Sequence, residues 1–376
     1  MPESRPGPWT ICHVDAERKF SGGEVQVFLL MQGLRAAGHR SILIAPPGSE
    51  SCARARRDGF EVREVALRSD LDFLSVIQLT VILRELNPDL VHLHTGRAAW
   101  LGGLAARQAL VPAIVTRRMD RRVRRGWRTR LVYGRLTRAV AAISDSVAHG
   151  LIEGGVAQSR IVVIHSSIDP AAHRPERSRA EVRSELGVGV DEPVVLMVGS
   201  LVLRKGHGVL FDALARLAKH GLQPSVWLAG EGSERAELER QAAALAPGQV
   251  RFLGQRRDVA DLLAAADIFA MPSLHEGLGV AALEALQAGC AVVASRVGGL
   301  AEVVEDGVSG LLVPPADPAS LAEAVEKLIR DPGLRARLAE AGRARIHARY
   351  RASAMVAGYE ALYRRVLAEG ALHPSR

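Results

Sequence analysis

Short apolar runs alternate with longer helix-like segments through the whole chain, and this alternation restricts the fold more than any other feature. Clear helix patterns cover 23–37, 74–86 and 208–220. Continuous apolar strands separated by helices are typical of parallel sheets with helices on both faces. Each half of the chain has six such runs: 9–14, 40–45, 90–94, 113–116, 139–143 and 161–164, then 194–199, 225–229, 250–253, 268–271, 291–294 and 310–313.

The alternation starts again near Asp191, after a polar stretch from 169 to 184 that has the composition of a linker. A chain of 376 residues is also longer than one core usually serves. We therefore predict an α/β protein with two Rossmann-like, doubly wound parallel-sheet domains, 1–169 and 170–353. Ligands of such sheets bind at the carboxyl ends of the strands, so we expect the domains to face each other across a cleft.

The last segment has the pattern of an amphipathic helix, clearest over 352–368. Two placements are open for it. It packs either on the outside of the second domain or, as a helix over 354–376, back on the first domain.

The segment 273–285 combines residues that suit a ligand site. Gly277 and Gly279 let the backbone approach a ligand, and a helix starting just after them offers amide groups and a positive dipole end to a diphosphate. Glu276 and Glu284 bracket that helix start and can accept hydrogen bonds from sugar and ribose hydroxyls. Taken alone, two solvated surface glutamates explain the pattern equally well.

Two further loops follow predicted strands. The loop 198–207 carries Arg204 and Lys205 between glycines, a pattern that can hold phosphates, although a solvated basic turn is favoured if it stands alone. The loop 20–24 carries Gly22 and Gly23. Its spacing is not G-x-G-x-x-G, and the chain has no P-loop spacing, which argues against a dinucleotide fingerprint and a P-loop ATPase.

The segment 273–315 resembles the nucleotide-sugar motif of family-4 retaining glycosyltransferases (glycosyl transferases group 1), which have the GT-B fold. Glu276 and Glu284 match the family's E(x)7E motif, and 298–307 matches its Gly-Gly turn and E-x-V-x-x-G element. The resemblance covers nearly the whole chain. It implies a retaining glycosyltransferase with an acceptor-binding first domain and a second domain that binds a nucleotide-diphosphate sugar.

The resemblance also implies roles for individual residues. Glu276, Lys205 and Arg204 would be catalytic, with Glu276 at the sugar and the two cations at the diphosphate leaving group. Glu284 would bind the ribose. The other implied donor-binding residues are Gly22, Gly23, Ser200, Gly254, Gly277, Leu278, Gly279 and Val280.

Two positions depart from the family pattern. Ser200 stands where many members have an arginine, and Arg204 would supply that charge instead. Arg118 stands where many members have a histidine. His94, at the end of an earlier predicted strand, is a further candidate for the acceptor side; its other interpretation is a histidine satisfied at a strand end.

The basic residues are unevenly distributed. All of the net charge of +8 lies in residues 1–170, which hold 24 Lys and Arg against 16 Asp and Glu, and eight arginines stand between 117 and 130. A solvated face is the simplest interpretation. We favour a patch, including Arg118, Arg121 and Arg122, for a phosphorylated or lipid-linked glycan acceptor or an anionic membrane surface. Nothing else in the chain supports nucleic-acid binding.

Cysteine spacing and hydropathy suggest a compartment. The three cysteines lack metal-ligand spacing, no apolar run reaches the ~18–20 residues that span a bilayer, and residues 1–10 do not resemble a signal peptide. We expect a cytoplasmic protein, at most peripheral on the inner face of the membrane, with no cofactor and no metal. The one D-x-D considered, at 70–72, is interpreted as a helix cap.

Two other functions stay open. A sugar-nucleotide epimerase of GT-B architecture is disfavoured, because such enzymes lack the E(x)7E arrangement followed by Gly-Gly-x-x-E. A non-catalytic nucleotide-sugar-binding protein is kept open by Ser200 and Arg118.

Overall fold

The computed structural model describes residues 7–120 and 123–372, and the chain divides into two compact units. Unit 1 comprises the chain up to Ser167 together with the residues from Ala352 onward, and unit 2 runs from Ile168 to Arg351. Both boundaries lie two residues before the sequence-based ones.

Unit 1 is built on one parallel sheet. Its strands are β1 (Thr10–Val14), β2 (Arg40–Ala45), β3 (Glu61–Glu64), β4 (Leu90–Leu93), β5 (Ala113–Arg117), β6 (Ala139–Ala142) and β7 (Ile161–Val163). They lie in the order β3-β2-β1-β4-β5-β6-β7. This is the doubly wound order, with its reversal between β1 and β4.

The helices of unit 1 connect successive strands, except for the last. They are α1 (Gly22–Ala36), α2 (Glu50–Arg57), α3 (Phe73–Leu86), α4 (Gly96–Gln108), α5 (Trp127–Leu131), α6 (Asp145–Glu153) and α15 (Ala352–Leu372). A π-helical turn, Val132–Leu136, continues α5. Asp72 caps α3, as the interpretation of the D-x-D segment requires.

Helix α15 belongs to the core of unit 1. Tyr359, Tyr363 and Val366 are buried in one cluster with Ile11 and Leu30. The tyrosine hydroxyls also bond to polar side chains of β4 and β5. The outside of the second domain, one of the two placements left open by the sequence, is therefore wrong. Residues 373–376 of the helix expected over 354–376 lie outside the described residues.

Unit 2 repeats the topology with six parallel strands. These are β8 (Val194–Val198), β9 (Ser225–Ala229), β10 (Val250–Gly254), β11 (Ile268–Met271), β12 (Ala291–Ser295) and β13 (Leu311–Val313). Their order is β10-β9-β8-β11-β12-β13, so the reversal lies between β8 and β11. All six were predicted from the apolar runs, because each is a buried or half-buried apolar segment.

The α-helices of unit 2 cover both faces of this sheet and pack on its buried side chains. They are α7 (Arg179–Glu185), α8 (His207–Lys219), α9 (Arg235–Leu245), α10 (Val259–Ala265), α11 (Val280–Ala288), α12 (Leu300–Val303), α13 (Pro318–Arg330) and α14 (Pro332–Arg349). No helix in the described ranges is long and apolar enough to cross a bilayer.

The polar stretch 169–184 is not the linker that its composition predicted. It contains a 3₁₀ turn at Pro170–His173 and most of α7. Arg183 is 1% exposed and donates to Asp267, 84 residues away, at 2.8 Å. Ion pairs and hydrogen bonds of its charged residues order this segment. Because the partners lie far along the sequence, no local pattern predicts that order.

Strand β3 was missed by the sequence analysis. Its four residues carry three charges and one apolar side chain, Val62. Within the described part of the chain the strand pairs only with β2, at the edge of the sheet. Edge strands need no continuous apolar run, so the signal that found the other strands is absent here.

Candidate functional site

In unit 2 the loops after β8 and β11 meet at the carboxyl edge of the sheet, where the strand order reverses. The amide of Leu274 donates to the carbonyl of Arg204 at 2.8 Å. A Cβ at Gly206 would overlap the carbonyl oxygen of Pro272, and Gly206 has a φ of +74°. Only glycine allows the two backbones to approach this closely.

Helix α11 starts at this junction with an uncapped N-terminus. Its N-cap residue, Gly279, has a φ of +92° and makes no side-chain hydrogen bond to the helix. A Cβ at Gly279 would overlap Leu300, so glycine is required for both conformation and space. The amide of Ala282 donates to the carbonyl of Gly279, so the amides of Val280 and Ala281 are the ones left for an anion, and the helix ends at Gly289, as predicted.

Lys205 and Glu276 form an ion pair beside this helix start. The distance from Nζ to Oε2 is 2.5 Å, and the side chains are only 11% and 12% exposed. Because few water molecules reach the pair, each group strongly orients the other. The structure therefore brings together a cation and a carboxylate that the sequence places 71 residues apart.

Glu284 lies within α11 and contacts a residue that the sequence analysis missed. His173 Nε2 is 3.2 Å from Glu284 Oε1, and His173 Nδ1 is 2.9 Å from the carbonyl of Asp169. The hydrogen bond to Glu284 raises the pKa of His173 against the opposing effect of burial. No motif signals His173, because it lies in the polar stretch interpreted as a linker.

Apart from Gly22 and Gly23, which lie in unit 1, the other residues assigned to the donor side occupy unit 2. Gly277 and Leu278 are buried before α11, and Gly254 ends β10. Ser200 and Arg204 are exposed in the loop after β8. Exposure leaves Arg204 free to move toward a ligand, whereas Lys205 is already fixed.

Two buried polar atoms near the junction lack hydrogen-bond partners among the described residues. They are Nδ1 of His207, the first residue of α8, and Oγ of Ser273, just before the loop glycines. Burial and the charge of Lys205 lower the pKa of His207 to about 4, so its ring is neutral near pH 7. Buried groups of this kind are usually satisfied by a ligand or water.

In unit 1 the corresponding edge carries a directional hydrogen-bond chain. Arg118 lies 3.3 Å from His94 Nδ1; His94 Nε2 is 3.0 Å from His13 Nδ1, and His13 Nε2 is 3.3 Å from Ser41 Oγ. A guanidinium only donates, so His94 Nδ1 accepts and the proton of His94 is on Nε2. His13 then accepts on Nδ1 and donates to Ser41.

The neighbouring His92 completes a buried histidine cluster. Its ring nitrogens lie 2.8 Å from the Tyr363 hydroxyl and 2.6 Å from Thr116 Oγ1. Nitrogens of all three rings come within 4.8 Å of one another, which is close enough for a metal ion. All six ring nitrogens already have partners, however, and burial lowers the pKa of each ring well below 6.5, so the cluster is a neutral hydrogen-bonded network.

Asp15 lies next to this network, immediately after β1. Burial, followed by the charge of Glu24, raises the pKa of its carboxyl to about 7, while the amide of Glu17 and the charge of Arg118 act in the opposite direction. The unit 1 edge therefore holds a carboxyl that titrates near neutrality.

The Gly22–Gly23 loop of unit 1 differs from the α11 junction, because α1 is fully capped. Ser21 and Glu24 form a capping box, in which the Ser21 amide and hydroxyl donate to Glu24 at 2.7 and 2.6 Å. Gly23 lies against Arg118, whose Cδ would be 3.6 Å from a Cβ at that position. A carboxylate thus already occupies this helix start.

The arginine-rich segment 117–130 is only partly solvated. Arg128 donates to Asp70 at 2.8 Å and Arg125 to the carbonyl of Glu153 at 2.9 Å. Arg121 and Arg122, two of the four acceptor-side candidates, lie outside the described residues.

Comparisons with known proteins agree with this architecture. A family model described as glycosyl transferases group 1 matches residues 178–345, and one described as glycosyltransferase family 4 matches residues 20–172. The alpha-maltose-1-phosphate synthase of Mycolicibacterium smegmatis is 31% identical over 331 residues, which cover 78% of this chain and 84% of that protein.

Two further similarities concern a different relative and a solved structure. The lipopolysaccharide core biosynthesis glycosyltransferase LpsE of Rhizobium meliloti is 42% identical over 163 residues, or 43% of this chain and less than half (46%) of that protein. The crystal structure of Anabaena HepE in complex with UDP-glucose is 25% identical, with a TM-score of 0.83 over 94% of this chain and 99% of that one. With two doubly wound sheets and these matches in both halves, the chain belongs to the glycosyl transferases group 1 and has the GT-B fold.

Proposed function

We propose that this protein is a retaining glycosyltransferase that transfers a sugar from a nucleoside-diphosphate donor bound at the carboxyl edge of unit 2. The observation that carries the proposal is the Lys205–Glu276 pair beside the uncapped start of α11. The HepE structure with UDP-glucose supports this class of donor. Retention of the anomeric configuration is what the family resemblance implies.

The chemistry requires stabilisation of a diphosphate leaving group. As the anomeric bond breaks, negative charge grows on the phosphate oxygens and positive charge on the sugar ring. Lys205 and the first-turn amides of α11 are fixed before the donor arrives, and such preorganised donors contribute ~3–4 kcal/mol each. Glu276 holds Lys205 in place and faces the sugar. Because these groups supply positive charge, transfer should need no metal ion.

The remaining donor contacts follow from position. Glu284 takes the ribose hydroxyls and replaces its contact with His173. Gly254, at the end of β10, lines the base site, and Arg204 closes from the exposed loop. The family resemblance also assigns Gly22 and Gly23 to donor binding.

We assign the acceptor to unit 1, where Arg118 and His94 lie at the sheet edge. An acceptor that carries phosphate, such as a cell-envelope glycolipid or polysaccharide intermediate, suits the basic excess of residues 1–170. The matching segment of LpsE, a lipopolysaccharide core enzyme, supports this class. The basic segment 117–130 would meet an anionic membrane surface.

A donor panel tests the proposal. UDP-, GDP- and ADP-sugars are screened by thermal shift, and a hit is incubated with phosphorylated glycan acceptors, with and without EDTA. We expect one nucleotide class to stabilise the protein by about 2.7 kcal/mol at 100 times its dissociation constant. Formation of a glycoside with the donor's anomeric configuration supports transfer. An epimerised sugar nucleotide, or binding without any turnover, contradicts it.

A further inference from the structure

Helix α3 has apolar side chains on both of its faces. Val76, Leu79 and Leu83 are buried in unit 1. Five other side chains, 56–79% exposed, form what we call the apolar stripe: Leu71, Phe73, Leu74, Ile77 and Val81. The spacing of the last three places them on one outward helix face. A surface helix normally turns polar residues to water, so a contiguous apolar stripe marks an interaction site.

A cavity of about 810 Å³ lies in the same unit, between α5 with its π-helical turn and the loop before β7. Four arginines line it, Arg125, Arg130, Arg135 and Arg160, and no carboxylate is among its described lining residues. Backbone carbonyls hold two of them: Glu153 accepts from Arg125, and Thr137 accepts from Arg160. These contacts orient the guanidinium groups without neutralising them, which suits phosphate.

Trp127 joins the arginine cavity to the apolar stripe. It lines the cavity, is 68% exposed and packs edge-to-face on Trp100 with ring centroids 5.9 Å apart. Trp100 Nε1 donates to the carbonyl of Asp70 at 2.9 Å, directly before Leu71. Arg128 fixes the same junction by donating to the Asp70 carboxylate. The two features therefore form one continuous surface.

We infer that this surface docks on an anionic lipid bilayer, with the apolar stripe and Trp127 in the interface and lipid phosphates in the arginine cavity. The combination of bulky apolar side chains, an interfacial tryptophan and flanking arginines matches the chemistry of the headgroup region. A second copy of this chain fits this surface poorly as a partner. A two-fold symmetric contact through the apolar stripe would bring the arginines of the two cavities close together, and their like charges would repel. The inference rests on the proposed function, which assigns the basic segment 117–130 to an anionic membrane surface, and it adds the apolar stripe and the arginine cavity as the parts that make the contact.

Vesicle co-sedimentation of the full chain tests the inference, using phosphatidylcholine vesicles with and without phosphatidylglycerol. Two double variants remove one feature each: Leu74→Glu with Ile77→Glu, and Arg130→Glu with Arg135→Glu. Val190→Glu is the matched control, because Val190 is 73% exposed but lies in unit 2. Thermal unfolding and donor binding are measured on every variant, so that loss of the fold or of the proposed function is recognised separately.

We expect wild type and Val190→Glu to bind the anionic vesicles equally, and each double variant to bind at least about tenfold more weakly with unchanged donor binding. Wild type that does not bind anionic vesicles overturns the inference. If only the arginine variant loses binding, insertion of the stripe is wrong. If the stripe variant instead lowers the mass in sedimentation equilibrium while vesicle binding is unchanged, the surface is an interface between copies of the chain.

Discussion

The two units have the same strand order and opposite chemistry at the point where that order reverses. In unit 2 the helix after the reversal, α11, starts at a glycine without a side-chain cap, next to Lys205. In unit 1 the helix after β1 starts in a capping box closed by Glu24, next to a buried carboxyl and neutral histidines. A diphosphate therefore finds amides and a cation in unit 2, and mainly carboxyl groups around α1 in unit 1.

This difference shows that topology locates a site without determining its ligand. Strand order brings loops together at both edges, but the capping residue and nearby charges decide whether an anion can bind there. Arg118 is the exception in unit 1, since its guanidinium is held against His94. We take it as the acceptor-side cation, distinct from the donor-side Lys205.

Removal of the unit 2 cation should have the largest effect. Lys205→Ala deletes a preorganised donor to the leaving group and should lower kcat about 10²–10³-fold. Arg204→Ala is the matched control; because Arg204 is exposed, its loss should cost less than about tenfold. Steady-state transfer assays measure both. Equal losses for the two variants would mean that the fixed ion pair has no special role.

The buried carboxyl of unit 1 should make stability depend on pH. The pKa of Asp15 is raised to about 7 in the folded state, so folding favours the protonated carboxyl. The stability that this carboxyl contributes is therefore present in full below its pKa in the unfolded chain, and it is lost as pH rises through 7. Wild type should lose roughly 2–3 kcal/mol between pH 5 and 8 that Asp15→Asn retains. Urea unfolding at both pH values measures this. Parallel losses in the two proteins would show that Asp15 is not the titrating group.

The glycine at the start of α11 can be tested against a glycine elsewhere in unit 2. Gly279→Ala combines a strained φ with an overlap on Leu300 and should destabilise unit 2 by about 1–3 kcal/mol while weakening donor binding. Gly307 also has a positive φ, of +72°, but no neighbour within 4 Å of a Cβ. Gly307→Ala should therefore show the smaller loss and normal donor binding in calorimetry. The reverse ranking would contradict the close packing at the α11 junction.

The smallest expected effect concerns His173. The hydrogen bond to Glu284 raises the pKa of His173 in the folded protein. The stability from this contact is therefore present in full below the pKa that His173 has in the unfolded chain, and it is lost as pH rises through the pKa in the folded protein. A ribose that needs Glu284 should bind better as His173 loses its proton, by no more than about fivefold between pH 6 and 8. His173→Ala should bind with little change over that range. If the variant keeps the wild-type pH dependence, the ribose does not compete with His173.

Most of the fold could be predicted from the sequence, because parallel buried strands are apolar throughout. All six strands of unit 2 and the start and end of α11 follow from local signals. Strand β3 and the helix α7 do not. Both are rich in charged residues, and the contacts that order them are made with residues far away in the sequence. Glu276 and Lys205 were each singled out, but their 2.5 Å contact depends on strand order. His173 and Asp15 gain their properties from burial and from distant neighbours.

Calorimetric titration of UDP, GDP and ADP into wild type, Lys205→Ala and Arg118→Ala tests the central claim most directly. The account predicts that one nucleotide binds wild type, that Arg118→Ala binds it equally well, and that Lys205→Ala loses at least about tenfold in affinity. Unchanged affinity in Lys205→Ala, or a loss confined to Arg118→Ala, would contradict the assignment of the diphosphate to unit 2.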